Sequence, residues 1–350
     1  MTWSLIDAVP NPWGDVPVTN NGRSVVPLVE AYMGRVREKA LERDCVSRRS
    51  HYVPKAYLRA WSWNGRQVRV LDTRNGHDKP RGLRATCVRE NFYRVTDGND
   101  IQHNQVEAML AILDDEMARL LLLLRGWAPG DDLAFDDFMS LAVVVGMQSN
   151  RTPQARRFLA SRSAWLTDRA RQPPEQLTTD HYVDLLFRAM YRTANQLSTR
   201  QLELWDDPQG RFITCDHPVL LSQDAPGMPS ALHSCHYVWW PISPTRLVVF
   251  SSEHQGIKIV HREASRGEIG QIRRTVIHSA ESEIIALPTD RDLPAGKVLR
   301  KRLQLQVDCT QVEPTERKCR IGFGWGYGAT LLDRACQPIC ALALTDDSAG

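Results

Sequence analysis

The chain has 350 residues, of which 42% are hydrophobic and 24% are charged, and its formal net charge is +3. These proportions are typical of a globular protein, and the length suffices for one large domain or two smaller ones. The charge is too small to indicate a nucleic-acid-binding protein by itself. No apolar run is long enough to span a bilayer, and the first residues lack the apolar segment of a signal peptide. The sequence therefore predicts a cytoplasmic protein with reduced cysteines and no membrane partner.

The N-terminal part predicts an arm followed by a basic helix. Residues 1–26 are rich in Pro, Asn and Gly and predict an irregular arm. Residues 27–44 carry apolar side chains near helical spacing, which predicts a helix. Eight Lys and Arg side chains crowd the segment 35–59, and three carboxylates dilute them. A solvated helix face explains this mixture better than a nucleic-acid surface does, but both interpretations stay open.

The middle of the chain is dominated by helical patterns. Residues 68–71 predict a strand, and residues 91–95 predict a second short strand. Apolar periodicity and capping residues predict the helices that follow. These are a helix over 106–124, one that starts at Asp131, one through 158–165, and one that Thr178 or Thr179 caps.

From residue 201 onward the pattern changes to strands. Strands at 202–205 and 212–214, joined by a turn that contains Pro208 and Gly210, predict a hairpin. The elements predicted next are a hairpin of 237–240 with 246–250, a helix over 264–280, and strands at 283–286 and 303–307. The fold class predicted is α+β, mostly helical, with a helical middle layer packed on short antiparallel strands. Its segments are an arm and helix at 1–47, a core at 48–290 and an extension at 291–350.

Five short motifs, in order along the chain, resemble those of an uncharacterised bacterial family, the domain of unknown function DUF4238. They are H-Y-V-P-x-x-Y-L from His51, N-F-Y from Asn91, Q-x-x-R-T-P from Gln148, F-I-T-C-D-H-P-V from Phe212 and W-P-I-S-P from Trp240. An isolated Glu107 also resembles a position of the family. The chain departs from the family pattern at Cys215 and His217, where that pattern has Ser and Asn. The resemblance implies no activity, so it indicates residues and not a reaction.

The polar side chains of these motifs provide the candidate site. His51 is predicted to act as a general base or metal ligand, Glu107 and Asp216 as catalytic carboxylates, and Arg151 as the cation for an anionic group. The predicted substrate-binding residues are Tyr52, Tyr57, Asn91, Tyr93, Gln148 and His217. This set suits a hydrolase acting on a phosphodiester, nuclease-like and related to defence or toxin systems. A divalent metal is an optional cofactor, with His51, Glu107 and Asp216 as its candidate ligands.

Each catalytic candidate also has a structural interpretation. His51 can satisfy a buried carbonyl, Glu107 can stabilise the first turn of its helix, and Arg151 can pair with a core carboxylate. Asp216 can bond backbone N–H groups in a turn. Among the eight cysteines no C-x-x-C pair occurs. The run His233-Ser234-Cys235-His236 contains metal-binding residue types, but chance is the favoured explanation for it.

Two other functions fit the sequence. The first is a non-catalytic module that binds nucleic acid or a protein through the basic segment 35–59. The second is a small-molecule modifying enzyme of specialised metabolism, which requires a deep apolar pocket lined by Trp and Tyr.

Overall fold

The structure is a computed structural model, and more of its described residues lie in helices than in strands. It describes residues 19–20, 23–24, 26–42, 49–96, 102–103, 105–160, 178–222, 232, 235–252, 258–293, 304–313 and 316–324. The fold is therefore α+β, as the sequence predicts. The predicted arm before Thr19, the end of the helix predicted at 158–165, and the chain after Gly324 lie outside the described residues.

The helices lie close to where the apolar periodicity predicts them. They are α1 (Val26–Leu41), α2 (Lys55–Leu58), α3 (Gln105–Gly126), α4 (Phe135–Asn150), α5 (153–160), α6 (Thr179–Leu197) and α7 (Arg266–Ser279). Thr178 caps α6 by accepting a hydrogen bond from the His181 amide, as predicted. The start predicted for α4 at Asp131 is wrong. Asp131 instead closes a turn, where its carboxylate accepts the Ala128 amide at 2.8 Å.

The strands are short except near the C-terminal end of the described chain. They are β1 (Thr19–Asn20), β2 (Arg23–Ser24), β3 (Arg49–His51), β4 (Gln67–Asp72), β5 (Asp78–Gly82), β6 (Val88–Glu90), β7 (Val95–Thr96), β8 (Gln102–His103), β9 (Gln201–Asp206), β10 (Thr214–Cys215), β11 (Leu220–Leu221), β12 (Tyr237–Ser243), β13 (Arg246–Ser251), β14 (Val260–Glu263), β15 (Glu283–Ala286), β16 (Gln304–Glu313) and β17 (Glu316–Gly324). The strand predicted at 91–95 is wrong, because Asn91 has a positive φ of 51° and opens a turn.

Two sheets organise the centre of the molecule. The larger has the strand order β11-β12-β13-β9-β14 and is antiparallel apart from the parallel pair β9 and β14. The smaller has the order β10-β15-β4-β5 and is antiparallel throughout. β3 pairs with β6 as a separate two-stranded ribbon.

The hairpin predicted from 202–205 and 212–214 is wrong. Its turn is present, with Gly210 at a φ of 67°, but the strands on either side of it belong to different sheets. β9 pairs with β13 and β14, whereas β10 crosses to the smaller sheet and pairs with β15. Phe212 and Ile213, which precede β10, are both buried in the second core cluster together with residues of both sheets.

The larger sheet is buried on both faces. Val248 and Phe250 belong to the core cluster that includes residues of α1, α3, α4 and α6. Leu247 and Val249, which alternate with them, belong to a second cluster with residues of α7 and the smaller sheet. The alternating side chains of one strand therefore join the helices on one face to the second sheet and α7 on the other.

Candidate functional site

The segment that contains His51 is a strand followed by one turn of helix. His51 ends β3, where it lies opposite Val88 of β6. Pro54 is the N-cap residue of α2 and precedes its first helical residue, Lys55. α2 has only four residues, so its N-terminal end is too short to provide an anion-binding site beside His51.

α2 and the 3₁₀ turn that follows it, Arg59–Trp61, are anchored in the core by aromatic side chains. The Tyr57 hydroxyl donates to the Pro241 carbonyl at 2.5 Å and lies 2.7 Å from the Thr214 hydroxyl. The Trp61 indole donates to the Phe212 carbonyl at 3.1 Å. Tyr57 is fully buried, so its geometry is that of an anchor between the two sheets, and nothing in it favours the predicted contact with a substrate.

A first polar cluster forms where β3, α3 and the end of α4 meet. The Ser50 hydroxyl donates to the Glu107 carboxylate. Nε and Nη2 of Arg151 donate to Gln148 Oε1 at 3.0 and 2.9 Å, and Nη2 forms an ion pair of 2.6 Å with Asp114. We call Ser50, His51, Glu107, Asp114, Gln148 and Arg151 the arginine cluster.

Arg151 is completely buried, and its surroundings hold it in one position. Gln148 Nε2 donates to the Tyr52 carbonyl at 3.0 Å, and the Tyr93 hydroxyl donates to the carbonyl of Arg151 itself. Among the described residues, Nη1 of Arg151 has no hydrogen-bond partner. Because buried donors are almost always paired, this N–H group is the feature of the cluster that most favours a ligand.

His51 is half-buried at the edge of the arginine cluster. Its Nε2 lies 3.3 Å from the Leu83 carbonyl, as the structural interpretation predicts. Since a carbonyl only accepts, Nε2 carries the proton and Nδ1 is the proton acceptor of the neutral ring. Burial lowers the pKa of His51, and the positive charges of Lys55, Arg49 and Arg151 lower it further. The imidazole is therefore neutral at pH 7.

The pKa of Glu107 is shifted in the opposite direction, upwards. Glu107 lies in the first turn of α3, again as the structural interpretation predicts. Burial raises the pKa of Glu107, while the Ser50 hydroxyl and the Arg151 charge lower it. A neutral base and a carboxyl group with a raised pKa thus lie near the same guanidinium group, an arrangement that suits general acid–base chemistry.

Asp216 belongs to a second polar cluster, which it forms with residues 281–283. Its Oδ1 accepts the Glu281 amide at 2.8 Å. Its Oδ2 accepts the Ser282 amide and hydroxyl, both at 2.7 Å, and the Glu283 amide at 3.1 Å. Burial raises the pKa of Asp216 to about 7, and the Ser282 hydroxyl opposes the rise. This carboxylate holds the segment before β15, and its geometry does not favour the catalytic role predicted for it.

The carboxylates next to Asp216 are paired with cations. Arg81 donates to Glu283, and Glu283 also accepts the Cys87 amide at 3.0 Å. Arg157 forms an ion pair of 2.8 Å with Glu281. These contacts connect residues 281–283 to the region of β5 and β6 and to α5. The cluster therefore joins segments that lie far apart in the sequence.

His217 contacts the residue that follows Arg151. Its Nδ1 lies 2.6 Å from the Thr152 hydroxyl. Burial lowers the pKa of His217 to about 3, and the Arg157 charge lowers it as well. The ring is thus neutral over the physiological range, and it connects the Asp216 cluster with the end of α4.

His217→Asn should remove part of the acid sensitivity of the protein. The folded-state pKa lies below the unfolded value of 6.5, so the stabilisation is complete above that value and is lost as the pH falls towards 3. We expect the difference in free energy of unfolding between wild type and variant to change by about 1–2 kcal/mol between pH 7 and pH 5. Urea denaturation at both pH values measures it, and a difference that does not vary with pH would contradict the prediction.

Of the four predicted catalytic residues, Glu107 and Arg151 lie close enough for the Arg151 charge to lower the Glu107 pKa, and His51 bonds Leu83 at the edge of the cluster. Asp216 lies in the other cluster. Tyr52, Tyr93 and Gln148 are buried, and Tyr93 and Gln148 position the Arg151 region, while Asn91 is an exposed turn residue. Asp114 was missed by the sequence analysis, although it follows Glu107 by seven residues and therefore lies on the same face of α3.

The predicted metal ligands are not grouped. Within the described ranges, no group of three or more His, Cys, Asp or Glu side chains is placed to hold a metal ion. Cys235 is buried and its thiol donates to the Leu232 carbonyl, whereas His236 is exposed, so these neighbours do not form a ligand pair. His233 and Ser234 lie outside the described residues, as do residues 43–48 of the basic segment 35–59.

The fold and the site define an α+β protein with a buried, hydrogen-bonded arginine and a neutral, half-buried histidine among its motif residues. Residues 49–290 match the family described as "Protein of unknown function (DUF4238)". The chain belongs to the DUF4238 family, and the match includes both polar clusters. No curated protein and no solved structure matches the chain. In the part of the chain that the structure describes, no helix is long and apolar enough to cross a membrane.

Proposed function

We propose that the protein is a hydrolase that acts on a phosphodiester, with the arginine cluster as its active site. The observation that carries the proposal is the position of His51, a neutral and half-buried imidazole whose pKa is lowered by burial and then by the charges of Lys55, Arg49 and Arg151. A positive environment of this kind favours an anionic substrate over a neutral one.

Nδ1 of His51 is the general base in this proposal. The hydrogen bond from Nε2 to Leu83 fixes the tautomer and the orientation of the ring. Within the described structure, Nδ1 has no hydrogen-bond partner of its own. Nδ1 can therefore accept the proton of an attacking water molecule at neutral pH.

Arg151 and Lys55 bind the phosphate group. Gln148 and Asp114 occupy Nε and Nη2 of Arg151, so Nη1 is the part of the guanidinium that remains for an anion. Lys55 is exposed and adds a second positive charge near His51. An oriented donor stabilises charge developing on a phosphoryl oxygen, and because Nη1 is buried the side chains around it have to open to admit that oxygen.

Glu107 is the general acid for the leaving group. Burial raises the pKa of Glu107, so more of its carboxyl group is protonated near neutral pH than at an exposed site. Ser50 holds one carboxylate oxygen. Asp216 has no chemical step in this proposal, because all the hydrogen bonds that its oxygens accept come from residues 281–283.

The test is hydrolysis of bis(p-nitrophenyl) phosphate and of a single-stranded oligonucleotide, with and without Mg²⁺ or Mn²⁺. We expect His51→Asn to lower kcat/KM by about 10²-fold or more, the usual contribution of a general base. His77→Asn is the matched control, because His77 lies exposed in the turn before β5. Circular dichroism and thermal unfolding check that both variants fold.

Three results would overturn the proposal. The first is a folded wild-type protein that hydrolyses neither substrate, and the second is a His51→Asn variant as active as His77→Asn. The third is binding of the oligonucleotide, lost at high salt, without cleavage under any metal condition. That last result would instead favour the non-catalytic module that uses segment 35–59.

A further inference from the structure

The strands β16 and β17 form a hairpin beyond residue 290, where the family match ends. Within the described chain, each of the two strands pairs only with the other. The hairpin therefore lies outside the family match, and an inference about it is independent of the proposed hydrolase activity.

The register of this hairpin places two cysteines directly opposite each other. Cys309 of β16 is the partner of Cys319 of β17, and their neighbours Asp308 and Arg320 are partners in turn. The register shift in the hairpin occurs only between Gln311 and Glu313, so it does not disturb the cysteine pair.

This spacing is compatible with a disulfide. Directly opposite residues of an antiparallel pair have Cα atoms about 4.5 or 5.5 Å apart, depending on the type of pair. Disulfides span Cα separations of about 4.4–6.8 Å. Both kinds of pair fall within that range, so the bond requires no change of register.

We propose that Cys309 and Cys319 form a reversible cross-strand disulfide that makes the hairpin sensitive to the thiol–disulfide balance. A small-molecule disulfide such as oxidised glutathione is the oxidant. One cysteine thiolate attacks it and forms a mixed disulfide, releasing one reduced glutathione. The second cysteine thiolate then attacks the mixed disulfide, which forms the protein disulfide and releases the second glutathione. The two cysteines together lose two electrons and two protons.

The charges next to Cys319 in the sequence and the burial of Cys87 and Cys215 both favour oxidation of this pair over oxidation of those two thiols. Cys319 stands between Lys318 and Arg320 in the sequence, and neighbouring cations stabilise a thiolate. Cys87 and Cys215 are fully buried free thiols, and burial raises the pKa of each. These two thiols should therefore stay reduced under conditions that oxidise the hairpin.

The experiment is peptide mapping of the full chain after equilibration in glutathione buffers, with the exchange quenched in acid and the free thiols then blocked by N-ethylmaleimide in denaturant at neutral pH. Trypsin cleaves after Arg302, Arg317, Lys318 and Arg320. We expect the peptide 303–317 to be linked to the dipeptide Cys319-Arg320, and a reductant should separate them. Cys87 and Cys215 should carry the alkyl label in the same sample.

The variant Cys319→Ser provides the control. It should abolish the linked peptide and let Cys309 accumulate as a mixed disulfide with glutathione, because the second thiol is missing. The proposal is overturned if both cysteines of the wild type carry the alkyl label or glutathione at every buffer ratio. It is also overturned if Cys309 is linked to a different cysteine of the chain.

Discussion

Replacing Gly146 with alanine should destabilise the protein by about 2–3 kcal/mol, the cost of overpacking a close contact. A Cβ atom at position 146 would lie 3.0 Å from both the Ala194 nitrogen and the Met190 oxygen, which are backbone atoms of α6. Backbone atoms cannot rotate away as a side chain can, so α4 and α6 would have to separate. Urea denaturation followed by circular dichroism measures the loss.

Gly34→Ala is the matched control for this prediction. Gly34 lies in the interior of α1, and no atom lies within 4 Å of a Cβ built there. Alanine should then stabilise the protein by up to about 1 kcal/mol, the difference in helix propensity between the two residues. A Gly146→Ala variant that is as stable as the wild type would show that α4 and α6 do not approach as closely as described.

The contact at Gly146 also affects the candidate site. Gln148 lies two residues further along α4, and Arg151 follows the end of that helix. A shift of α4 away from α6 would move both side chains relative to Glu107 and Asp114. The variant should therefore lose phosphate binding as well as stability if the proposed active site is correct.

Asp216→Asn should be the most damaging conservative change, with an expected loss of about 2–4 kcal/mol at pH 8. At that pH the carboxylate is mostly ionised, because its pKa, although raised, is about 7 and so lies below the pH of the measurement. Four donors from residues 281–283 point at its two oxygens. Asparagine offers one oxygen and one NH₂ group, so at least one buried N–H would face another donor.

Asp78→Asn is the control for this change. Asp78 accepts from Arg69 on the surface, and loss of an exposed ion pair costs at most about 1 kcal/mol. Hydrogen exchange of the Glu281, Ser282 and Glu283 amides provides a local measurement, and it should accelerate only in the Asp216 variant. Equal stability losses in the two variants would contradict the role described for Asp216.

Much of the candidate site was predictable from local patterns. The motifs single out His51, Glu107 and Arg151, and in the structure the Arg151 charge acts on both His51 and Glu107. Asp216 was selected by the same reasoning, but its donors come from a segment more than 60 residues away. A carboxylate before a proline-containing turn looks the same in the sequence whether it bonds its own turn or a distant strand.

Some errors in the predicted elements have a similar origin. The turn after β9 has the residues of a hairpin turn, and its local geometry is correct. The choice of partner strand depends on where Phe212 and Ile213 find buried contacts, which is a property of both sheets together. Local propensity could not exclude the hairpin, because both arrangements use the same turn.

The sequence by itself determined the long helices, the cap of α6, the α+β class and the family, because each of these depends on neighbours along the chain or on motifs read in order. The tertiary structure alone decided which strands pair, which donors hold Asp216, and why α4 needs a glycine at position 146. Helix propensity favours alanine at that position, and only the backbone of α6 reverses the preference. Contacts between distant segments depend on the packing of the whole core, and periodicity within one segment does not encode them.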